Sequence, residues 1–214
     1  MKKIALALII ASVAAPSLAE NKFTGELLLG KASQELNISY SFNNEGVIES
    51  GKESFDNDSN GYGFRAGYQI GQHFAVELTH QLYGEYTNSF LDDFDDRIRE
   101  TIEAKATSVG VKGILPMSDS FSIVGRLGLA NWDLDLSSTD SSNPGEVFKL
   151  KEDGQDLYYS IGAEFKINEK FFAGIEYSIL TMSWDDKVVD GEFSASVDYE
   201  HEVNNLGLSF GMVF

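Results

Sequence analysis

The sequence predicts an all-β protein, an eight-stranded antiparallel up-and-down transmembrane β-barrel with long, acidic extracellular hairpins. Three observations point there. An export signal opens the chain, apolar residues alternate with period 2 through eight segments, and the connections between those segments alternate between short and long.

Lys2 and Lys3 precede an apolar stretch from Ile4 to Ala15, and Ser17-Leu18-Ala19 places small residues where a signal peptidase reads. That stretch is too short for the about 20 residues of a membrane-spanning helix. Residues 1–19 are therefore expected to be a signal peptide and residues 20–214 an outer-membrane barrel domain. The chain has 34 acidic and 16 basic residues, a net charge of −18 and no cysteine. With no basic face to neutralise phosphates, nucleic acid is excluded as a partner. Without cysteine there is no disulfide framework, thiolate metal site or thiol nucleophile, and no cofactor is expected.

Strand one is expected around Phe23, Leu27 and Leu29. In strand two, Tyr62, Phe64, Ala66, Tyr68 and Ile70 alternate with Gly63, Arg65, Gly67 and Gln69, and after Gly71-Gln72-His73 strand three resumes with Phe74, Val76, Leu78, His80 and Leu82. Val109, Val111 and Leu115 of strand four lead through residues 116–120 into Phe121, Ile123, Leu127 and Leu129 of strand five. Tyr159, Ile161, Ala163, Phe165 and Ile167 of strand six turn through Asn168-Glu169-Lys170 into Phe171, Ala173, Ile175, Tyr177 and Ile179 of strand seven. Strand eight carries Leu206, Leu208, Phe210, Met212 and Phe214. Each segment has about the 9 to 11 residues that a tilted membrane strand requires. Joins after strands two, four and six take three to five residues, whereas the other joins are long, as in outer-membrane barrels.

A soluble eight-stranded barrel is the competing architecture, and its polar face would be crowded with long charged side chains. Here that face is small, with Gly63, Gly67, Ser108, Gly110, Gly128, Ala130, Ser160, Gly162, Gly174 and Ser178. Small residues suit a crowded lumen, so the apolar face is assigned to lipid. Aromatic girdles are expected from Phe23, Phe74, Phe121, Phe171 and Phe214 at one rim, and from Tyr62, Trp132, Tyr177 and Trp184 at the other.

Charges punctuate the small face at Glu26, Arg65, Glu77, Lys112, Arg126, Glu164, Lys166 and Glu176. Four acids meet four bases, so a luminal ion-pair network is expected, with a gated ion path along the same residues as the alternative. Pairing Ile70 with Phe74 makes Arg65 and Glu77 diagonal neighbours, and the analogous register sets Glu164 near Glu176, with Lys112 or Arg126 to neutralise them.

The segments 61–69, 74–78, 125–128, 162–165, 174–177 and 206–214 resemble the transmembrane domain of OmpA-like outer-membrane proteins. The resemblance implies a luminal gate of two glutamates, a lysine and an arginine. Glu77, Lys112 and Glu164 match three of these positions, while the arginine position is Gly174, so Arg65 is the expected substitute. The resemblance further implies that Phe210, Met212 and Phe214 are read by the barrel-assembly machinery. The peptidoglycan-binding domain of full-length members is not expected within these residues.

Segments 31–60, 84–103, 133–156 and 181–202 carry −4, −5, −5 and −6, leaving the rest of residues 20–214 neutral. Outer-membrane lipid and anionic lipopolysaccharide are the expected surroundings, with divalent cations as possible bridges to the acidic loops. The densest clusters are Asp92, Asp93, Asp95 and Asp96, and Asp185 with Asp186, but no EF-hand spacing accompanies them, so they are weak metal candidates. Leu36, Ile38, Tyr40 and Phe42, and Phe193, Ala195, Val197 and Tyr199, keep alternating outside the membrane band, so the loops are read as protruding hairpins. This resembles the OmpX and Ail layout and implies an extracellular adhesion partner, with residues 36–52 dispensable for assembly. His73, His80 and His201 are read as incidental and catalysis is not expected. A hydrophobic-solute channel of the OmpW type is disfavoured because no apolar run lines the small face.

Overall fold

The computed structural model describes residues 22–44, 47–91, 96–143, 145–190 and 193–214. The expected signal peptide and the aspartates Asp92, Asp93 and Asp95 lie outside them. The described residues form eight strands: β1 (Lys22–Asn44), β2 (Val47–Ile70), β3 (Phe74–Leu91), β4 (Arg97–Pro116), β5 (Phe121–Asp140), β6 (Val147–Lys166), β7 (Phe171–Asp190) and β8 (Phe193–Val213). Each pairs antiparallel with its chain neighbours, and β1 closes the barrel on β8. Tight connections at 71–73, 117–120 and 167–170 share one end, which outer-membrane barrels turn to the periplasm.

The strands are 18 to 24 residues long, about twice the expected length. Stretches assigned to long loops are continuations of the strands, and those continuations do not stay in one barrel. β2 and β3 pair only from Ile70↔Phe74 to Tyr62↔Leu82, and β6 and β7 only from Lys166↔Phe172 to Tyr158↔Leu180. The other six interfaces stay paired almost to the hairpin tips, as in Asn44↔Val47 and Thr139↔Val147. Above two seams the barrel therefore splits into two four-stranded leaves, β7-β8-β1-β2 and β3-β4-β5-β6, facing each other.

Side-chain direction alternates without regard to the medium, so the chemistry of the two faces exchanges where lipid gives way to water. In β5, Phe121, Ile123, Leu127 and Leu129 point out in the lower half and are exposed to acyl chains, followed outward by Asn131, Asp133 and Asp135. The inward set runs Arg126, Gly128 and Ala130, then Trp132, Leu134 and Leu136. β1 changes the same way: Leu27 and Leu29 face out, whereas Leu36 and Ile38 face in. Two expectations are corrected by this exchange. Trp132 and Trp184 are not girdle residues on the lipid face. Trp132, 2% exposed, sits inside with Trp184 packed against it. Nor is the interior free of apolar side chains, because the hydrophobic effect, absent between the barrel and lipid, fills the space between the leaves.

A β-bulge marks the first seam. The β3–β4 register slips between Leu82 and Gly84, so Tyr83 and Tyr86 both turn inward despite their odd spacing. Gly84 has φ +84° and backs onto the Asn60 carbonyl, a position a side chain would strain.

Candidate functional site

In the lower barrel, alternation aims seven ionisable side chains at the axis, one from each of the strands β1 to β7. Arg126 of β5 is the hub: Nε donates to Glu77 Oε2 (2.8 Å), Nη1 to Glu176 Oε2 (2.5 Å) and Nη2 to Glu164 Oε1 (2.9 Å). Arg65 of β2 donates to Glu26 Oε2 (3.1 Å), Glu176 Oε1 (2.9 Å) and Thr79 Oγ1 (3.0 Å). Lys112 Nζ lies 2.6 Å from Glu164 Oε1 and 3.7 Å from Glu77 Oε1, and 5.7 Å over the Phe172 ring. The Tyr158 hydroxyl donates to Glu176 Oε1 at 2.6 Å. Desolvated charges persist only when matched in this way.

Two placements differ from expectation. Lys166, the last residue of β6, is exposed at the periplasmic rim, where its long side chain reaches water, and it forms no ion pair with this layer. The layer thus holds four carboxylates and three cations. The arginine joining the two matched glutamates is Arg126, not Arg65, because β5 lies beside β6 and the long Arg126 side chain also reaches Glu77 of β3, two strands away. Arg65 and Glu77 are diagonal as expected, with Gly67↔Glu77 in register, but at 3.7 Å theirs is the looser contact.

Above this layer the leaves enclose an apolar core from seven strands, centred on Trp132, Leu180, Met182 and Val203. The Trp132 indole lies on Gly154, where a Cβ would overlap it, and its Nε1 donates to Asp156 Oδ2 at 2.8 Å. Asp156 also accepts from the Ser183 amide of β7 (3.3 Å), bolting the second seam where no ladder bonds remain. The first seam has its own bolt. Gln34 Nε2 donates to Ser59 Oγ (2.6 Å), which donates to the bulge carbonyl of Tyr83 (2.6 Å).

His201 completes this chain and was not expected in it. It is fully buried, stacks on Tyr86, and lies 2.9 Å from Gln34 Oε1. Because Gln34 donates through its nitrogen, His201 Nε2 is the donor and Nδ1 carries no proton or partner. Burial lowers the His201 pKa from 6.5 to about 4. An unfolded leaf therefore takes up the proton first: stability is full above about pH 6.5 and declines as pH falls toward 4, by about 3 kcal/mol in all. Proteolysis of the hairpins in lipid-embedded protein is expected to accelerate between pH 7 and 4.5, and His201→Gln to flatten that dependence. Equal slopes for the two proteins would refute the assignment.

The remaining expected residues are scattered. Phe210 and Phe214 point to the lipid side, Phe210 stacking on Phe171 at 5.7 Å, and Met212 pairs with Phe171 across β7–β8. Asp185 is held by Lys187 at 2.7 Å, Asp186 is exposed and Asp96 has a partner. Among the described residues no three acidic or histidine side chains converge as metal donors. His73 contacts the Ile114 carbonyl and His80 the Thr107 hydroxyl, and neither is bonded to a carboxylate among the described residues.

The apolar core and the His201 chain were missed although a signal existed: the apolar set changes parity from Leu27 and Leu29 to Leu36 and Ile38, and from Leu129 to Trp132.

Residues 4–200 match the family profile described as outer membrane protein beta-barrel domain. The chain is 27% identical over 199 residues to outer membrane protein P5 of Haemophilus influenzae, covering 85% of this chain and 52% of that protein. It thus spans about half the length of that curated relative. Similar solved structures include the outer membrane protein OprG from Pseudomonas aeruginosa, at TM-score 0.48 and 14% identity over 87% of this chain and 95% of that one. Another is Ail, the attachment invasion locus protein of Yersinia pestis, at TM-score 0.37 and 12% identity over 82% and 98%.

Proposed function

Since the chain belongs to the outer membrane protein beta-barrel domain family and resides in the outer membrane, we propose that it is a non-enzymatic barrel whose paired leaves are a surface-interaction module of the adhesion type. The observation that carries this reading is the pair of leaves itself. A barrel serving only to cross the membrane has no use for strands continuing about 14 residues beyond the lipid band, as β1 does from Lys31 to Asn44. Nor does it need a second core to hold them. The seams also leave β2 (47–61), β3 (83–91), β6 (147–157) and β7 (181–190) without a ladder partner on one side, apart from the bolted Tyr83 carbonyl and Ser183 amide, and on such edges an extended segment of a partner can pair.

The alternative, a narrow pore, is disfavoured by a lumen filled by the ionic layer below and the apolar core above. The two leaves carry equal net charge, but its placement differs. On the first, Glu35 lies directly beside Asp56 and Glu202, whereas on the second Lys105 and Lys151 both pair with Asp135. Both leaves are acidic and are expected to stand clear of anionic lipopolysaccharide.

The test is truncation of the β1–β2 hairpin. Leu36 belongs to the core, so the cut belongs above it: replacing residues 40–51 by a two-residue turn joins the paired Ser39 and Lys52. Outer-membrane fractionation and boiling-sensitive gel migration are expected to be unchanged, while attachment of cells to surfaces or host matrix falls at least several-fold. Attachment at the full level would remove this hairpin from the interaction surface.

A further inference from the structure

Between the ionic layer and the apolar core lies a cavity of about 20 Å³ on the barrel axis. Its floor includes Glu176 of the ionic layer, and its roof is built by Tyr83, Ala130 and Tyr158 of the apolar core. The walls are uncharged and mixed, with Leu28 and Ala106 beside Thr79, Ser108 and Ser178, and two of their side chains carry a deeply buried polar atom without a hydrogen-bond partner: Gln81 Nε2 and Asn205 Oδ1. An unpartnered donor and an unpartnered acceptor on side chains lining a space of this size fit a water molecule or a similarly small polar solute.

We propose that the barrel interior is an airlock: a small chamber for water or a small polar solute, closed toward the periplasm by the ionic layer and toward the outside by the apolar core. Exchange with either side then needs one barrier to open, and passage needs both. The barriers answer to different physics. The lower one is held by matched charges, centred on Arg126. The upper one is a dry plug held by leaf packing, of the kind that excludes water by dewetting. Tyr158 joins them, with its ring in the plug and its hydroxyl on Glu176. The proposal rests on the closed-lumen reading above and adds that the closure is double.

The chain has no cysteine, so one introduced thiol reports alone. Ser108→Cys places it on the chamber wall, and Ser178→Cys is the second probe position if the first does not assemble. Proteoliposomes of one orientation are exposed to a membrane-impermeant methanethiosulfonate reagent on either side. In the otherwise unaltered barrel, labelling is expected to be negligible from both sides. Combining Trp132→Ala with Met182→Ala is expected to raise it at least tenfold from the extracellular side alone. Arg126→Ala, or Lys112→Ala if that variant does not assemble, is expected to raise it from the periplasmic side alone. Labelling of the unaltered barrel, or labelling from both sides after one barrier is removed, overturns the airlock. Boiling-sensitive migration of each variant reports separately on the membrane barrel, so failure of that reading is distinguished from failure of this one.

Discussion

Arg126→Met is expected to lower the unfolding free energy by about 3 to 5 kcal/mol, the cost of leaving buried carboxylates without their cation. Three acids lose a hydrogen bond at once: Glu77, Glu164 and Glu176. The layer already holds one more carboxylate than cation, so the substitution doubles an existing excess inside a low-dielectric wall. Lys112→Met removes a cation with a single close partner, Glu164, and is expected to cost distinctly less. Urea unfolding in lipid vesicles measures both. Adding Glu164→Gln and Glu176→Gln to Arg126→Met is expected to recover most of the loss, because neutral amides need no counter-charge. A triple variant no more stable than the single one would mean that Arg126 acts through packing and not through charge.

Trp132→Ala is expected to cost about 3 to 5 kcal/mol as well, but in a different place. The indole is the largest fully buried side chain, rests on Gly154 and Trp184, and holds the Asp156 bolt of the second seam. Removing it leaves a cavity and strands a half-buried carboxylate that then keeps only the Ser183 amide. The leaves should loosen while the lipid-embedded barrel persists: hydrogen exchange accelerates above Tyr158 and Leu180, and boiling-sensitive migration is retained. Uniform acceleration along β5, from Phe121 upward, would instead mean that leaves and barrel unfold as one unit.

Much of this architecture is legible residue by residue. Period-2 alternation forces Glu26, Arg65, Glu77, Lys112, Arg126, Glu164 and Glu176 to one face of their strands, whatever surrounds them. The tight turn at 71–73 sets the pairing Ile70↔Phe74, and with it the diagonal of Arg65 and Glu77. Local geometry suffices for both because each involves neighbours in sequence. The length of the strands was obscured because their outward positions beyond the lipid are small and polar, such as Ser33, Ser39 and Ser41, and read as loop although Leu36 and Ile38 lie between them.

The partners across the lumen belong to closure alone. That Arg126 of β5 meets Glu176 of β7, and Arg65 of β2 the same carboxylate, depends on how far the rolled sheet brings distant strands together. His201 meeting Gln34, and Lys166 escaping to the rim, follow from the same packing. The chain encodes direction and spacing along each strand through sterics within a few residues. Which charges become neutral together, and where dry core replaces ionic layer, is a property of the enclosed volume and of the boundary between lipid and water.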